Sequence, residues 1–434
     1  MTGCRFAVWS ACLPLLFFCV FPSNAHRHPQ RPKVFDVEAF GAVVDGEADH
    51  NAQHHIYYDG HGINFCLFNL EKLVPAQAFL CAWRAACASK AGSRMVIPEG
   101  RFLVNPLAFT GPCNGSVEIQ VLGTVLAPAD LGVFPAGKAE WIAFNYIESL
   151  VIRGGGTFDG QGASAWPDND CSKKNATTCH KIPNSIGFNF VKSLIITQIT
   201  SLNSKKVHMN IFSCQNVTLK GITITAPGDS PNTDGIHISG SSNVKIDEAS
   251  IGTGDDCISI GPGTRNLFIT GVSCGPGHGI SIGSLGGRPK EKDVLGITVS
   301  NSSFHGTQNG VRIKTWPASY ALSASNFTFQ DIVMDYVKNP VFIDQNYCPR
   351  GQCDHEFPSR VKISQVLFKN IIGTSASKVA INLSCSESVP CEDVELNDID
   401  LVYLKKGKAR MASSSCSNVN GGRSVGHVNP PPCI

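Results

Sequence analysis

Three aspartates, a histidine, an arginine and a lysine recur at matched places in a repeating pattern. They stand in Asn232-Thr-Asp-Gly235, Gly254-Asp-Asp-Cys257, Gly277-His-Gly279 and Arg312-Ile-Lys314. Aligned on the polar residue that precedes a short apolar run, the segments read Asp234-Gly-Ile-His-Ile, Asp256-Cys-Ile-Ser-Ile, His278-Gly-Ile-Ser-Ile and Asn309-Gly-Val-Arg-Ile. The first three are 22 residues apart and the fourth follows after 31. Any one of them alone reads as a turn, because Asp-Gly and Asn-Gly favour tight bends. Four in register become a column of neighbours if each repeat is one turn of a stacked coil. Asp234 and Asp256 then lie about 4.8 Å apart, and Asp255 projects differently from the same bend. Arg312 and Lys314 alternate with inward Val311 and Ile313, so both point outward. His237, Ser259 and Ser281 are the matching outward residues of neighbouring turns.

Carboxylates held this close cannot all ionise easily, so one pKa rises while others stay low. That split supplies an acid and a base at mildly acidic pH, the pair that hydrolysis of a glycosidic bond requires. An inverting mechanism places the two carboxyls roughly 6.5–9.5 Å apart with the attacking water between them. His278 is placed to tune or share the acid's proton. Arg312 offers a bidentate fork and Lys314 a point charge, together a grip for an anionic group on the substrate.

The elements that must position these residues are short strands. From about Phe144 onward, runs such as Ser193–Ile196, Asn216–Leu219, Asn243–Ile246 and Asn266–Ile269 recur, usually with a second strand such as Ile236–Ile238, Ile258–Ile260 or Ile280–Ile282 between them. Most alternate apolar and other residues, as strands with one buried face do. The missing Leu spacing excludes leucine-rich repeats, and propeller blades need about 40–45 residues each. The pattern predicts an all-β fold, a single-stranded parallel β-helix. Ala76 to Lys90 is the best helix, amphipathic enough to cap the open N-terminal end of the coil. Gly154-Gly-Gly156 and Asp159-Gly-Gln-Gly162 lack a phosphate-loop lysine and read as corners. Trp141, Trp166 and Trp316 are read first as packing residues rather than sugar platforms.

Composition bounds the rest. Residues 1–25 read as a secretory leader: Arg5, the apolar stretch Phe6 to Phe21, and a small-residue cleavage site at Ser23-Asn-Ala25. That stretch is short for a membrane span and Pro14 interrupts it, so a soluble, exported mature chain over 26–434 is expected. A net charge of +2, with no basic run interleaved with aromatics, gives no sign of nucleic-acid binding. Of 18 cysteines, Cys4, Cys12 and Cys19 go with the leader. Among the others, Cys87 with Cys113, Cys171 with Cys179, Cys257 with Cys274, Cys348 with Cys353, Cys385 with Cys391, and Cys416 with Cys433 are candidate bridges. Cys66, Cys81 and Cys214 are left over. No pair of zinc knuckles exists, and neither metal nor cofactor is expected. Asn114, Asn175, Asn216, Asn301, Asn326 and Asn382 head glycosylation sequons. The stretch from about His50 to Ala76 breaks the pattern and reads as an atypical insertion, either a loop or the product of non-coding sequence. Its His50 and His54 have a spacing that suits a metal only if helical.

Taken jointly, the four motifs resemble those of the polygalacturonases, glycoside hydrolase family 28, over about Val34 to Cys433 apart from the insertion. Ser230-Pro-Asn-Thr-Asp-Gly-Ile-His237, Cys274-Gly-Pro-Gly-His-Gly279 and Asp344-Gln-Asn-Tyr-Cys348 look plant-type. Phe35-Asp-Val37, Phe40-Gly41, Gly111-Pro-Cys113 and Ser201-Leu-Asn-Ser204 are similar to the pollen exopolygalacturonase branch. The resemblance implies a right-handed β-helix and inverting hydrolysis of α-1,4 bonds between galacturonates by a monomer of the extracellular cell wall. It implies that Asp255 is the general acid, that Asp234 and Asp256 hold and activate the water, and that His278 supports the acid. Arg312 and Lys314 would bind the uronate carboxylate, Tyr347 would line the subsite, and Asn232 would contact substrate. The chain departs from the family at the insertion and at Cys81, where a polar residue is common. Two other readings remain: a calcium-dependent pectate lyase, and a non-catalytic β-helical wall protein that would be expected to lack one of the aspartates.

Overall fold

The computed structural model describes residues 32–44, 75–135, 137, 139–169, 182–349, 351–354 and 356–434. The leader, Cys66, Cys171 with Cys179, Asn175, His50 and His54 lie outside the described residues. From Pro32 to Ile434 the chain is one compact unit, a right-handed parallel β-helix. Among the described residues every strand pairing is parallel except the hairpin between Cys391–Lys405 and Lys408–Arg410. No described helix is long and apolar enough to cross a membrane.

The coil is built by repetition of one buried column. Ile236, Ile258, Ile280, Val311, Val341 and Ile381 pair in register through successive turns, and all are fully buried. Branched side chains suit this stacking because each rests on its equivalent one strand away. Aromatics stack in the same way: Phe144 lies over Phe188 at 5.1 Å and Phe329 over Phe368 at 5.1 Å. Corners between strands demand a left-handed backbone, and Asn216, Asn243 and Asn266 supply it with φ of 55, 56 and 54°. Their amides bond to one another up the stack, at 3.1 and 3.2 Å.

An eleven-stranded all-parallel sheet, from Leu107–Thr110 through Ser413–Ser417, carries the motif strands. It begins well before Phe144, where the sequence pattern first becomes regular. The early turns also include Lys33–Asp36 and Ser93–Ile97 in the companion sheet. They escape a search for repeats because they lack the recurring asparagine corner.

The capping helix runs Pro75–Cys87 rather than Ala76 to Lys90, so Pro75 and Ala76 belong to the cap and not to the insertion. Ala78, Phe79, Ala82, Trp83 and Ala86 form its buried stripe. Trp83 packs on Phe109 at 5.0 Å, and Phe79 on Phe102 at 6.0 Å. Five of the expected bridges form: Cys87–Cys113, Cys257–Cys274, Cys348–Cys353, Cys385–Cys391 and Cys416–Cys433. Cys214 is free and buried. Cys81 is disulfide-bonded, which corrects its place among the left-over cysteines.

Candidate active site

Strand alternation sets the outward row expected from the repeat: His237 pairs with Ser259, Ser259 with Ser281, and Ser281 with Arg312. Lys314 pairs with Asp344 one turn on. The acidic bends stack just ahead of these strands. The Gly235 amide donates to the Asp256 carbonyl at 2.9 Å, and the His278 amide to the Asp255 carbonyl at 2.7 Å. Gly254 is obligatory here, since a Cβ would lie 2.0 Å from the Ser230 carbonyl oxygen.

Asp256 is the most enclosed of the three carboxylates, 1% exposed. Its Oδ1 accepts from Ser281 Oγ at 2.8 Å and Arg312 Nη2 at 3.0 Å, and its Oδ2 accepts from Lys314 Nζ at 2.7 Å. Burial pushes this carboxyl up, but Lys314 and Arg312, with the Ser281 bond, more than offset it and hold the group below the usual carboxylate range. Asp234 behaves in the opposite way. Burial, then the charges of Asp255 and Asp256, drive it well above the usual range, against weaker opposition from the Ser259 hydroxyl and Lys314. Asp255 is 24% exposed and His278 38%. Its Oδ1 lies 3.1 Å from His278 Nδ1 and accepts the Asp256 amide at 2.7 Å. The surroundings therefore shift Asp234 and Asp256 in opposite directions.

Arg312 and Lys314 point away from the core as alternation requires, yet each is only 7% exposed. The sequence assigns them to gripping an anion; both are also tied to Asp256, because a carboxylate this buried needs its charge neutralised. Tyr347 covers the strip, its ring 5.7 Å from the Arg312 guanidinium and 5.1 Å from Lys314 Nζ. Trp316 meets Tyr347 edge-on at 5.3 Å. Trp141, by contrast, is core, its indole N–H donating to the Val104 carbonyl at 2.7 Å. Asn232 sits exposed at the bend before Asp234, with a left-handed φ of 55°.

Sequence reasoning did not assign roles to two serines. Ser281 donates to Asp256, and Ser259 contacts both Asp234 and His237, the latter at 2.8 Å. Their signal was present in the outward row, but serine in a strand gives no hint of its partner. His237 is held neutral, lowered to about 4 by burial and then by Lys314, with Asp256 opposing and Lys206 adding to the fall. It borders a cleft of about 810 Å³ that Trp316 and Tyr320 also line.

Asp255, Asp256 and His278 offer donor atoms within 4.8 Å of one another. Both Asp256 oxygens are already engaged by cationic side chains, and a divalent ion would have to displace them. This donor set suits an ion pair better than calcium, which asks for 6–8 oxygen ligands.

Comparison with known proteins accords with this geometry. The family model for glycosyl hydrolases family 28 matches residues 87–427. An exopolygalacturonase from Platanus acerifolia is 48% identical over 79% of this chain and 90% of its own length. An exopolygalacturonase from Oenothera organensis is 48% identical over 79% and 93%. Among solved structures, the endo-xylogalacturonan hydrolase from Aspergillus tubingensis superposes with a TM-score of 0.69 at 25% identity, over 82% of this chain and 96% of that one. A family match that runs through the carboxylate column and the cationic strip it faces leaves one conclusion: the chain belongs to glycosyl hydrolases family 28.

Proposed function

We propose that this protein hydrolyses the α-1,4-galacturonosyl bonds of polygalacturonate by a single inverting displacement, acting from the chain end in the extracellular cell wall. The observation that carries the reading is the division of labour among the carboxyls. Asp256 is fixed as a charged group by Lys314, Arg312 and Ser281. Asp234 is raised above the usual carboxylate range by burial and its acidic neighbours, which makes it a stronger acceptor of a proton from water. Asp255 stands at the half-open edge beside His278, where a leaving oxygen can reach it, and acts as the general acid. Arg312 and Lys314, beneath the Tyr347 ring, attract the uronate carboxylate while they hold Asp256. Asn232 contacts the sugar from the bend. The two relatives named as exopolygalacturonases support the substrate and the exo mode.

The spacing raises a rival mechanism. Asp255 and Asp256 oxygens lie within 4.8 Å, nearer than the roughly 6.5–9.5 Å usual for inverting pairs. A retaining mechanism would make Asp256 the nucleophile. Both of its oxygens are hydrogen-bonded and its basicity is depressed, so it is a poor nucleophile and a good electrostatic anchor. Inversion is therefore the reading supported.

The test is digestion of polygalacturonate with a calcium chelator present, followed by chain-length analysis. Saturated galacturonate monomer is expected. Unsaturated products that form only with calcium would establish the lyase reading instead, and no products would favour a binding protein. A second expectation concerns pH. Donation by Ser259 favours the ionised form of Asp234, so Ser259→Ala raises Asp234 further. If Asp234 must be ionised to act as base, the acidic limb of kcat/KM moves to higher pH in that variant. A limb that stays in place, or moves to lower pH, rules out Asp234 as the base.

A further inference from the structure

Outside the site, a ladder of exposed rings lies on the N-terminal side of the cleft. Tyr146 and Phe190 stack at 5.0 Å with planes 3° apart, and Phe190 meets Phe212 edge-on at 5.5 Å. All three are open to solvent, at 58%, 42% and 40% exposure. Phe212 also lines the cleft together with His237 and Ser239, so the ladder continues the cleft. Phe212 pairs with Asn189 and Asn189 with Asn145, whose amides bond to each other at 2.9 Å. Flat rings thus lie beside a row of amides.

The backbone makes the placement unusual. After four successive strands of this sheet the chain turns through one left-handed residue: Tyr146, Phe190, Ser213 and Gly240 have φ of 56, 58, 52 and 61°. Their amides donate in turn to the next strand's end, Tyr146 to Asn189 and Phe190 to Phe212, each at 3.0 Å. Bulky residues rarely occupy this conformation, and strained positions concentrate where function holds them. On the turn that carries Asp234 the column is small, Gly240, with Ser213 one turn before it. Two to three turns farther out it carries rings. The neighbouring charges, Lys192 and Glu148, pair with each other at 2.5 Å, so they present no net repulsion to a uronate.

We propose that Tyr146 and Phe190 form a platform for the substrate polysaccharide beyond the cleft, stacking on the C–H faces of its pyranose rings. The platform's far end lies about four turns from Asp256, about 19 Å measured along the coil axis at one strand spacing per turn. It therefore serves long chains and not the sugars at the scissile bond. This inference rests on the polygalacturonate reading above.

The experiment compares Tyr146→Ala/Phe190→Ala with the parent on polygalacturonate and on digalacturonate. The expected result is a KM for polymer raised about tenfold, the loss of one to two aromatic contacts, with kcat/KM on the dimer unchanged. Tyr146→Leu/Phe190→Leu, which keeps apolar bulk without flat rings, should behave alike, and Tyr146→Phe should behave as the parent. Equal losses on both substrates, or an unaltered polymer KM in the leucine variant, would overturn the platform. Affinity electrophoresis in gels containing polygalacturonate, in an Asp255→Asn background, reads the platform without turnover. Retardation that falls on removal of the rings supports it, whatever becomes of the hydrolytic reading. Retardation unaffected by their removal, or absent from the parent, sinks it.

Discussion

Asp255→Asn is expected to abolish measurable turnover, a loss of about 10²–10⁴-fold, the range for removing a positioned general acid. The fold should survive unchanged. Asparagine is isosteric, its carbonyl can still accept the Asp256 amide, and the side chain is partly exposed. Steady-state rates on polygalacturonate, with thermal unfolding as control, decide the matter. Near-parent activity with an intact fold would remove Asp255 from the mechanism. Asp256→Asn makes a useful contrast, because it leaves Lys314 and Arg312 facing a neutral amide in a buried site. That variant should lose stability as well as activity.

Lys314→Ala should lower kcat/KM by about 1.5–3 kcal/mol, the worth of a hydrogen bond to a charged group. Seen from sequence, the lysine holds a uronate, and the effect would fall chiefly on KM. Its 2.7 Å bond to Asp256 changes that expectation. Without Lys314, burial acts on Asp256 against Arg312 and Ser281 alone, so the carboxyl rises and less of it remains ionised at acidic pH. The variant should lose kcat too, most severely at the acidic end of the profile, and recover part of it as pH rises. A pure KM effect at every pH would mean that the lysine touches substrate and leaves Asp256 undisturbed. Arg312→Ala should follow the same pattern, with the added loss of its cover beneath Tyr347.

The column is legible in the sequence because two periods fix it. Side chains alternate along a strand, and apolar Ile236, Ile258, Ile280 and Val311 must fall on one face, so a slip of one residue would expose them all. Register follows, and with it the neighbourhood of Asp234, Asp256 and His278. Glycine-bounded bends supply the rest, since Gly254 leaves no room for another residue. What stayed hidden depends on side-chain direction within a crowded site. Nothing in the spelling of Arg-Ile-Lys reveals that both cations turn onto Asp256. Serine gives no warning that it will be the third donor there, or that another will restrain Asp234. The N-terminal turns were hidden for a different reason: Leu107–Thr110 and Ser93–Ile97 carry the core pattern but no polar column and no asparagine corner. The aromatic ladder was invisible because Tyr146, Phe190 and Phe212 fall at unequal intervals, and only the stacking of two corners beside a strand end makes them neighbours.

The central claim is that Asp256 is an electrostatic anchor and that water, activated at Asp234, attacks in a single displacement. The most direct measurement is the anomeric configuration of freshly released product, followed by proton NMR before mutarotation. Cleavage of the α-linked polymer should release the β-anomer first. Initial release of the α-anomer would mean a double displacement, with Asp256 or its neighbour as nucleophile, and would contradict the account.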